Sequence, residues 1–183
     1  MNLDGAILLW IQEWIRSDLM NPIMIKITHL GDAGLVWIAL SLFLLFPKST
    51  RKYAMMAIVA LLLSLLINNM LLKNIIARTR PYEVVEGLNR LIGAQHDFSF
   101  PSGHTASSFA TAVVLFCNLK KRYGIPLLIL AVLISLSRLY VGVHYPTDVL
   151  FGAISGTLLA ILAQWLVNGI LERRRKGGQD EDR

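Results

Sequence analysis

The chain has 183 residues, 55% of them apolar, with a mean hydropathy of +0.55 and a formal net charge of +6. That length fits one domain, and so apolar a composition excludes an ordinary soluble globular protein. Ten of the 18 Lys and Arg residues fall in three clusters, Lys48–Lys52, Lys120–Arg122 and Arg173–Lys176, each flanking an apolar run; the charge therefore marks membrane topology, and a nucleic-acid surface is excluded.

Residues 3–20 carry Leu3, Ile7, Trp10, Trp14 and Ile15 at helical spacing, with Gln12, Glu13, Arg16 and Asp18 between them. This is an amphipathic helix, suited either to lying in a membrane interface or to packing on other helices. Its acidic residues, with no basic segment ahead of them, also argue against a signal peptide. Asn21-Pro22 ends it, and a first span is expected from Ile23 to Phe46. His29 and Asp32 lie three apart on one face of that span, either supporting a site from behind or serving as ordinary hydrogen-bonded groups near a helix start.

A second span is expected from Tyr53 to Leu72. The polar stretch Lys73–Phe100 is too hydrophilic to cross a bilayer and long enough to be functional. Further spans follow at His104–Leu119, Ile125–Tyr140 and Val149–Leu171. The third contains the one cysteine, Cys117, so an internal disulfide is excluded.

The expected fold is all-α: a polytopic membrane bundle of about five spans plus an N-terminal amphipathic helix. Residues 1–172 form its single domain, and 173–183 a charged cytoplasmic tail expected to be disordered. With the basic loops placed in the cytoplasm, Lys73–Gly103 and Val141–Asp148 both face the other side.

Those two outward stretches hold the chemistry. Pro101-Ser102-Gly103-His104 opens an apolar helix. Ser102 is a good N-cap, Gly103 allows close approach to the backbone, and the helix N-terminus favours a phosphate beside the imidazole of His104. Lys73 precedes Arg80-Pro81 by seven residues, so if the segment is helical both cations point at one anion. Arg138 adds a guanidinium. His144 and Asp148, four apart, can form a pair in which the carboxylate fixes which ring nitrogen stays nucleophilic. Arg78 and Arg90 are extra cations, either contacts for a second phosphate or solvated loop charges.

Taken together, Lys73-x6-Arg80-Pro81, Pro101-Ser102-Gly103-His104 and Ser137-Arg138-x5-His144-x3-Asp148 resemble the three-part signature of the type 2 phosphatidic acid phosphatase (PAP2) superfamily. The resemblance implies that His144 attacks phosphorus, Asp148 orients it, and His104 protonates the leaving oxygen and later activates water. Lys73, Arg80, Arg138, the Ser102 hydroxyl and the Gly103 N–H would hold the phosphate oxygens. With that much fixed positive charge no divalent metal and no cofactor is expected, although two histidines and an aspartate would otherwise suggest zinc.

Within the superfamily, short chains of this kind resemble undecaprenyl pyrophosphate phosphatases. Phosphatidylglycerophosphate and phosphatidate are alternative substrates. A lipid transporter or a lipid-binding protein is the non-enzyme alternative, but it would not need a nucleophile with an orienting partner, and no internal repeat of the transporter kind is visible.

Overall fold

A computed structural model describes residues 3–181 of the chain, with side chains through Arg173. Its architecture is set by α7 (Gly103–Asn118), whose Ala106, Ala110, Ala112, Val114 and Leu115 are fully buried. Around it stand α4 (Arg51–Ser64), α8 (Lys121–Tyr140) and α9 (Pro146–Glu181). Small residues let α7 and α9 approach closely. A Cβ on Gly156 would lie 2.5 Å from the Ala106 carbonyl oxygen, and one on Gly152 would lie 2.9 Å from that of Ser102. Without a hydrophobic drive between helices in lipid, such close backbone packing is a main source of association. Trp37, fully buried beside α7, has its indole N–H satisfied by Ser108 Oγ at 2.8 Å.

The outer faces are apolar. Leu62, Ile129, Ile154, Leu158, Ile161 and Trp165 are among the large exposed side chains of α4, α8 and α9, as expected where a bilayer replaces water. Among the described residues, three stretches are long and apolar enough to cross a membrane: Arg51–Val84, Lys121–Tyr140 and Pro146–Arg173. The expected first span is instead a bent pair, α2 (Met20–Leu30) and α3 (Leu35–Phe43), meeting at 45°. The break is Gly31-Asp32-Ala33-Gly34, where Ala33 (φ 49) and Gly34 (φ 67) adopt left-handed conformations that end one helix and re-aim the next. The segment expected as a third span, α7, has only 16 residues and is encased by its neighbours.

The expected second span begins as α4, continues as a π-helical stretch over Leu65–Leu72, and closes with the short α5 (Lys73–Ile76). The last helix does not stop at Leu171. Its backbone runs on to Glu181, so the expected disordered tail is helical over most of its length, while 182–183 lie outside the described residues.

The N-terminal segment forms α1 (Leu3–Trp10) and one π-helical turn, Ile11–Ile15. It docks on the bundle. Leu8 is buried with Leu88 and Tyr145, and Arg16 donates to the carbonyls of Tyr140 (2.8 Å) and Asn89 (2.6 Å). Trp10 and Trp14 stay exposed on the opposite side, where tryptophan suits a membrane interface.

Candidate active site

One end of the bundle gathers the ends of several helices around a cavity of about 500 Å³. Lys73, Arg80, Gly103, His104, Arg138 and His144 all line it. The chain segments that deliver them are 71 residues apart in sequence from first to last, from Lys73 to His144, so only the tertiary fold brings them together.

Lys73 and Arg80 do not share a helix face as the seven-residue spacing suggested. The helix stops at Ile76, and Ala77 is left-handed (φ 46). Arg80 then takes the extended conformation that a residue preceding proline favours, capping the short α6 (Pro81–Val84). The two cations converge all the same, because both reach Asp97: Lys73 Nζ donates to Oδ2 and Arg80 Nη2 to Oδ1. Arg80 is further fixed by the carbonyls of Asp97 (2.9 Å) and Val143 (2.8 Å). Lys73 and Arg80 are buried, whereas the Asp97 side chain is 53% exposed. Burial by itself would raise the Asp97 carboxyl, but Lys73 and Arg80 override it and hold the pKa at about 2.

His144 sits in the loop between α8 and α9, almost fully buried. Its Nε2 is 3.2 Å from Arg80 Nη1. A guanidinium has no acceptor, so in this contact Nε2 must carry the lone pair and Nδ1 the proton. Nδ1 faces Asp148, with the nearest carboxylate oxygen at 3.5 Å, a close approach short of a hydrogen bond. Burial first, then the charges of Arg80, Arg138 and Lys73, push the His144 imidazole well below its ordinary pKa.

Asp148 is fully buried behind the ring and strongly held. Ser99 Oγ and the Tyr145 N–H (3.0 Å) donate to Oδ2, and Arg78 Nη1 donates to Oδ1. Arg78 therefore serves neither as a cavity ligand nor as a solvated charge. It lies over the Tyr145 ring at 3.7 Å and also donates to Asp4 in α1. Arg90, in contrast, is an exposed loop cation that donates to the Ile92 carbonyl.

Arg138 is fixed by Thr28 Oγ1 (2.7 Å) and Gln95 Oε1 (3.3 Å). Ser102 caps α7 as its sequence suggests, accepting from the Thr105 N–H, but the side chain is fully buried and does not line the cavity. Gly103 does line it. A Cβ at Gly103 would lie 2.7 Å from Asn69 Oδ1, another cavity group. Among the described residues, no three His, Cys, Asp or Glu side chains gather as metal ligands.

The opposite wall is apolar: Ile38 of α3, and Ile58, Leu61, Leu62 and Leu65 of the α4 stretch. Ile38, Leu62 and Leu65 are also exposed on the bundle's outer face, so the cavity joins a cationic end to a lipid-facing flank. Asp97, Ser99, Asp4 and Asn69 were not identified from sequence. The partners of Asp97, Ser99 and Asp4 lie 17 or more residues away, and no local spacing marks any of the four.

A PAP2 superfamily profile matches residues 53–171. The chain belongs to the PAP2 superfamily. An undecaprenyl-diphosphatase of Sulfolobus acidocaldarius is 33% identical over 144 residues, covering 79% of this chain and 69% of the relative. The crystal structure of a transmembrane PAP2-type phosphatidylglycerolphosphate phosphatase from Bacillus subtilis is 32% identical with a TM-score of 0.72, covering 93% of this chain and 85% of that one. Aquifex aeolicus LpxE is 31% identical with a TM-score of 0.79, covering 89% and 95%. The chain is thus a multi-pass membrane phosphatase of the PAP2 superfamily, as its three motifs led one to expect.

Proposed function

We propose that this phosphatase hydrolyses a lipid diphosphate, undecaprenyl diphosphate being the preferred substrate, through a phosphohistidine at His144. The observation that carries the reading is the cavity's two-sided lining. Lys73, Arg80 and Arg138 provide positive charge at one end for a phosphate, and Ile38, Leu61 and Leu65 provide an apolar wall for a chain that stays in the bilayer. The undecaprenyl-diphosphatase relative supports the choice of substrate.

The His144 Nε2 lone pair attacks the terminal phosphorus. The bridging P–O bond breaks, and its electrons leave with undecaprenyl phosphate, which takes a proton from His104. A water deprotonated by His104 then attacks the phosphohistidine; the P–N bond breaks and inorganic phosphate departs. Lys73, Arg80, Arg138 and the Gly103 N–H stabilise the charge on the transferring group, and Asp148 holds the His144 ring. Ser102 acts in this scheme by fixing the start of α7, as its hydroxyl oxygen accepts from the Thr105 N–H and from Thr105 Oγ1–H at 3.0 Å.

The positive loops Lys48–Lys52 and Lys120–Arg122 support an extracytoplasmic site with the tail from Arg173 in the cytoplasm. Phosphatidylglycerophosphate is the second reading, favoured by the 93% coverage of this chain by the Bacillus subtilis phosphatase structure.

The test is phosphate release by the purified full chain in detergent with EDTA, comparing undecaprenyl diphosphate, phosphatidylglycerophosphate and phosphatidate. Preference for the diphosphate, retained in EDTA and lost in His144→Ala, is expected. Preference for a glycerophospholipid would move the enzyme to phospholipid metabolism. Activity that EDTA abolishes and added metal restores would overturn the metal-free mechanism.

A further inference from the structure

His104 has a carboxylate partner of its own. Its Nε2 lies 2.9 Å from Oδ1 of Asp32, and the other carboxylate oxygen of Asp32 lies 2.7 Å from Nδ1 of His29. Asp32 reaches His104 from 72 residues away because the chain breaks there. The left-handed Ala33 and Gly34 bend α3 away from α2 and leave the carboxylate facing the start of α7. Gly31 completes the fit: a Cβ at that position would lie 2.5 Å from His104 Cδ2 and 2.8 Å from Ile134 Cγ2, so the imidazole rests directly on the end of α2. His29 and Asp32 both precede the stretch 53–171 that matches the superfamily, and its three-part signature assigns them nothing.

We propose that Asp32 is the positioning residue of His104, so that the site contains two His–Asp pairs: His144 with Asp148 for attack, and His104 with Asp32 for proton transfer. The proposal rests on the reading of His104 as the acid and base of the reaction. Asp32 accepts from Nε2–H, which leaves Nδ1 as the ring nitrogen that serves the substrate, and its negative charge stabilises the imidazolium that donates the proton. His29 holds the far oxygen of the carboxylate and fixes its orientation, a supporting role of the kind that keeps a reacting group in register.

In the first step the Nδ1–H proton of His104 moves to the leaving oxygen, which keeps the electrons of the broken P–O bond. In the second, neutral Nδ1 takes a proton from water as the water oxygen bonds to phosphorus and the P–N electrons return to His144. Asp32 remains a carboxylate throughout.

A structural role and this one separate by leaving group. An alkoxide needs a proton to depart, whereas a nitrophenolate does not, and kcat/KM reports the steps through departure of the leaving group. The full-length protein in detergent would be assayed with phosphatidate and with an alkyl-chain-bearing nitrophenyl phosphate, as wild type, Asp32→Asn, Asp32→Glu and His104→Asn. Asp32→Asn is expected to lower kcat/KM for phosphatidate on the order of tenfold to a hundredfold, and for the nitrophenyl ester by no more than about threefold. Asp32→Glu, which keeps the carboxylate, is expected to recover part of the phosphatidate activity.

Equal losses on both substrates would overturn the proposal in favour of a structural role. Wild-type kinetics in Asp32→Asn beside an impaired His104→Asn would overturn it while leaving His104 in place. Wild-type phosphatidate hydrolysis in His104→Asn would overturn the underlying reading of His104.

Discussion

Arg78 donates through Nη1 to Oδ1 of Asp148 and through Nη2 to Oδ2 of Asp4, the second at 2.8 Å. One guanidinium thereby connects the carboxylate behind the His144 ring to the N-terminal helix. Asp148 is fully buried, and a buried carboxylate that loses its cation is strongly destabilised. Arg78→Gln is therefore expected to lower kcat on the order of tenfold to a hundredfold, with KM little changed because Arg78 does not line the cavity. Steady-state kinetics on a lipid diphosphate would check it. A raised KM at unchanged kcat would instead make Arg78 a ligand of the second phosphate.

Asp97 occupies the two cations that a phosphate would engage, Lys73 and Arg80. Substrate oxygens have to take its place. Asp97→Asn is expected to tighten competitive inhibition by orthovanadate roughly two- to fivefold, the range open to a half-exposed ion pair worth up to about 1 kcal/mol. Weaker inhibition would show that Asp97 holds the cations in their binding geometry.

His144 carries a pH prediction. Burial and the charges of Arg80, Arg138 and Lys73 lower its pKa in the folded state, while Asp148, already neutralised by Arg78, offers little counterweight. The folded protein then binds fewer protons at this site than the unfolded chain, whose histidines titrate near 6.5. The contribution of this site to stability is present above that value and declines as pH falls below it. The nucleophile also stays neutral throughout the neutral range. NMR titration of the imidazoles, assigned with His144→Ala, should find the His144 ring still neutral at pH 6.5. A ring that titrates at or above 6.5 would contradict this.

Packing gives a further test. Gly156 lies against the α7 backbone, with the Ala106 carbonyl oxygen 2.5 Å from where a Cβ would stand. Gly156→Leu should separate α7 from α9, cost about 1–3 kcal/mol or more, and lower the thermal midpoint in detergent. An unchanged midpoint would mean the two helices are not held by this contact.

The residues of the three motifs were legible in the sequence because each sits at a helix end marked by proline, glycine or serine. The apolar runs marked where the long helices lie but not where they end: the second continues through Leu72 to Ile76 and the last beyond Leu171 to Glu181. The geometry between motifs was not legible. Lys73 and Arg80 meet through Asp97 after a helix break, not along one helix face, and the left-handed Ala77 that makes the break has no sequence signature. Nor did the long apolar run announce the bend at Gly31–Gly34, since a Gly-Asp-Ala-Gly stretch is compatible with a continuous span. Apart from the local His29–Asp32 contact, the carboxylates Asp4, Asp32 and Asp97 acquire their partners through contacts across 17 to 143 residues.

In the proposed mechanism His144 becomes covalently phosphorylated. The most direct measurement of this step is rapid acid-free quenching of the enzyme with a lipid diphosphate labelled at the terminal phosphate, followed by peptide mapping. A base-stable, acid-labile phosphoryl group is expected on the peptide containing His144, formed before phosphate release and absent in His144→Ala. Turnover without a labelled peptide, or label on another residue, would contradict it.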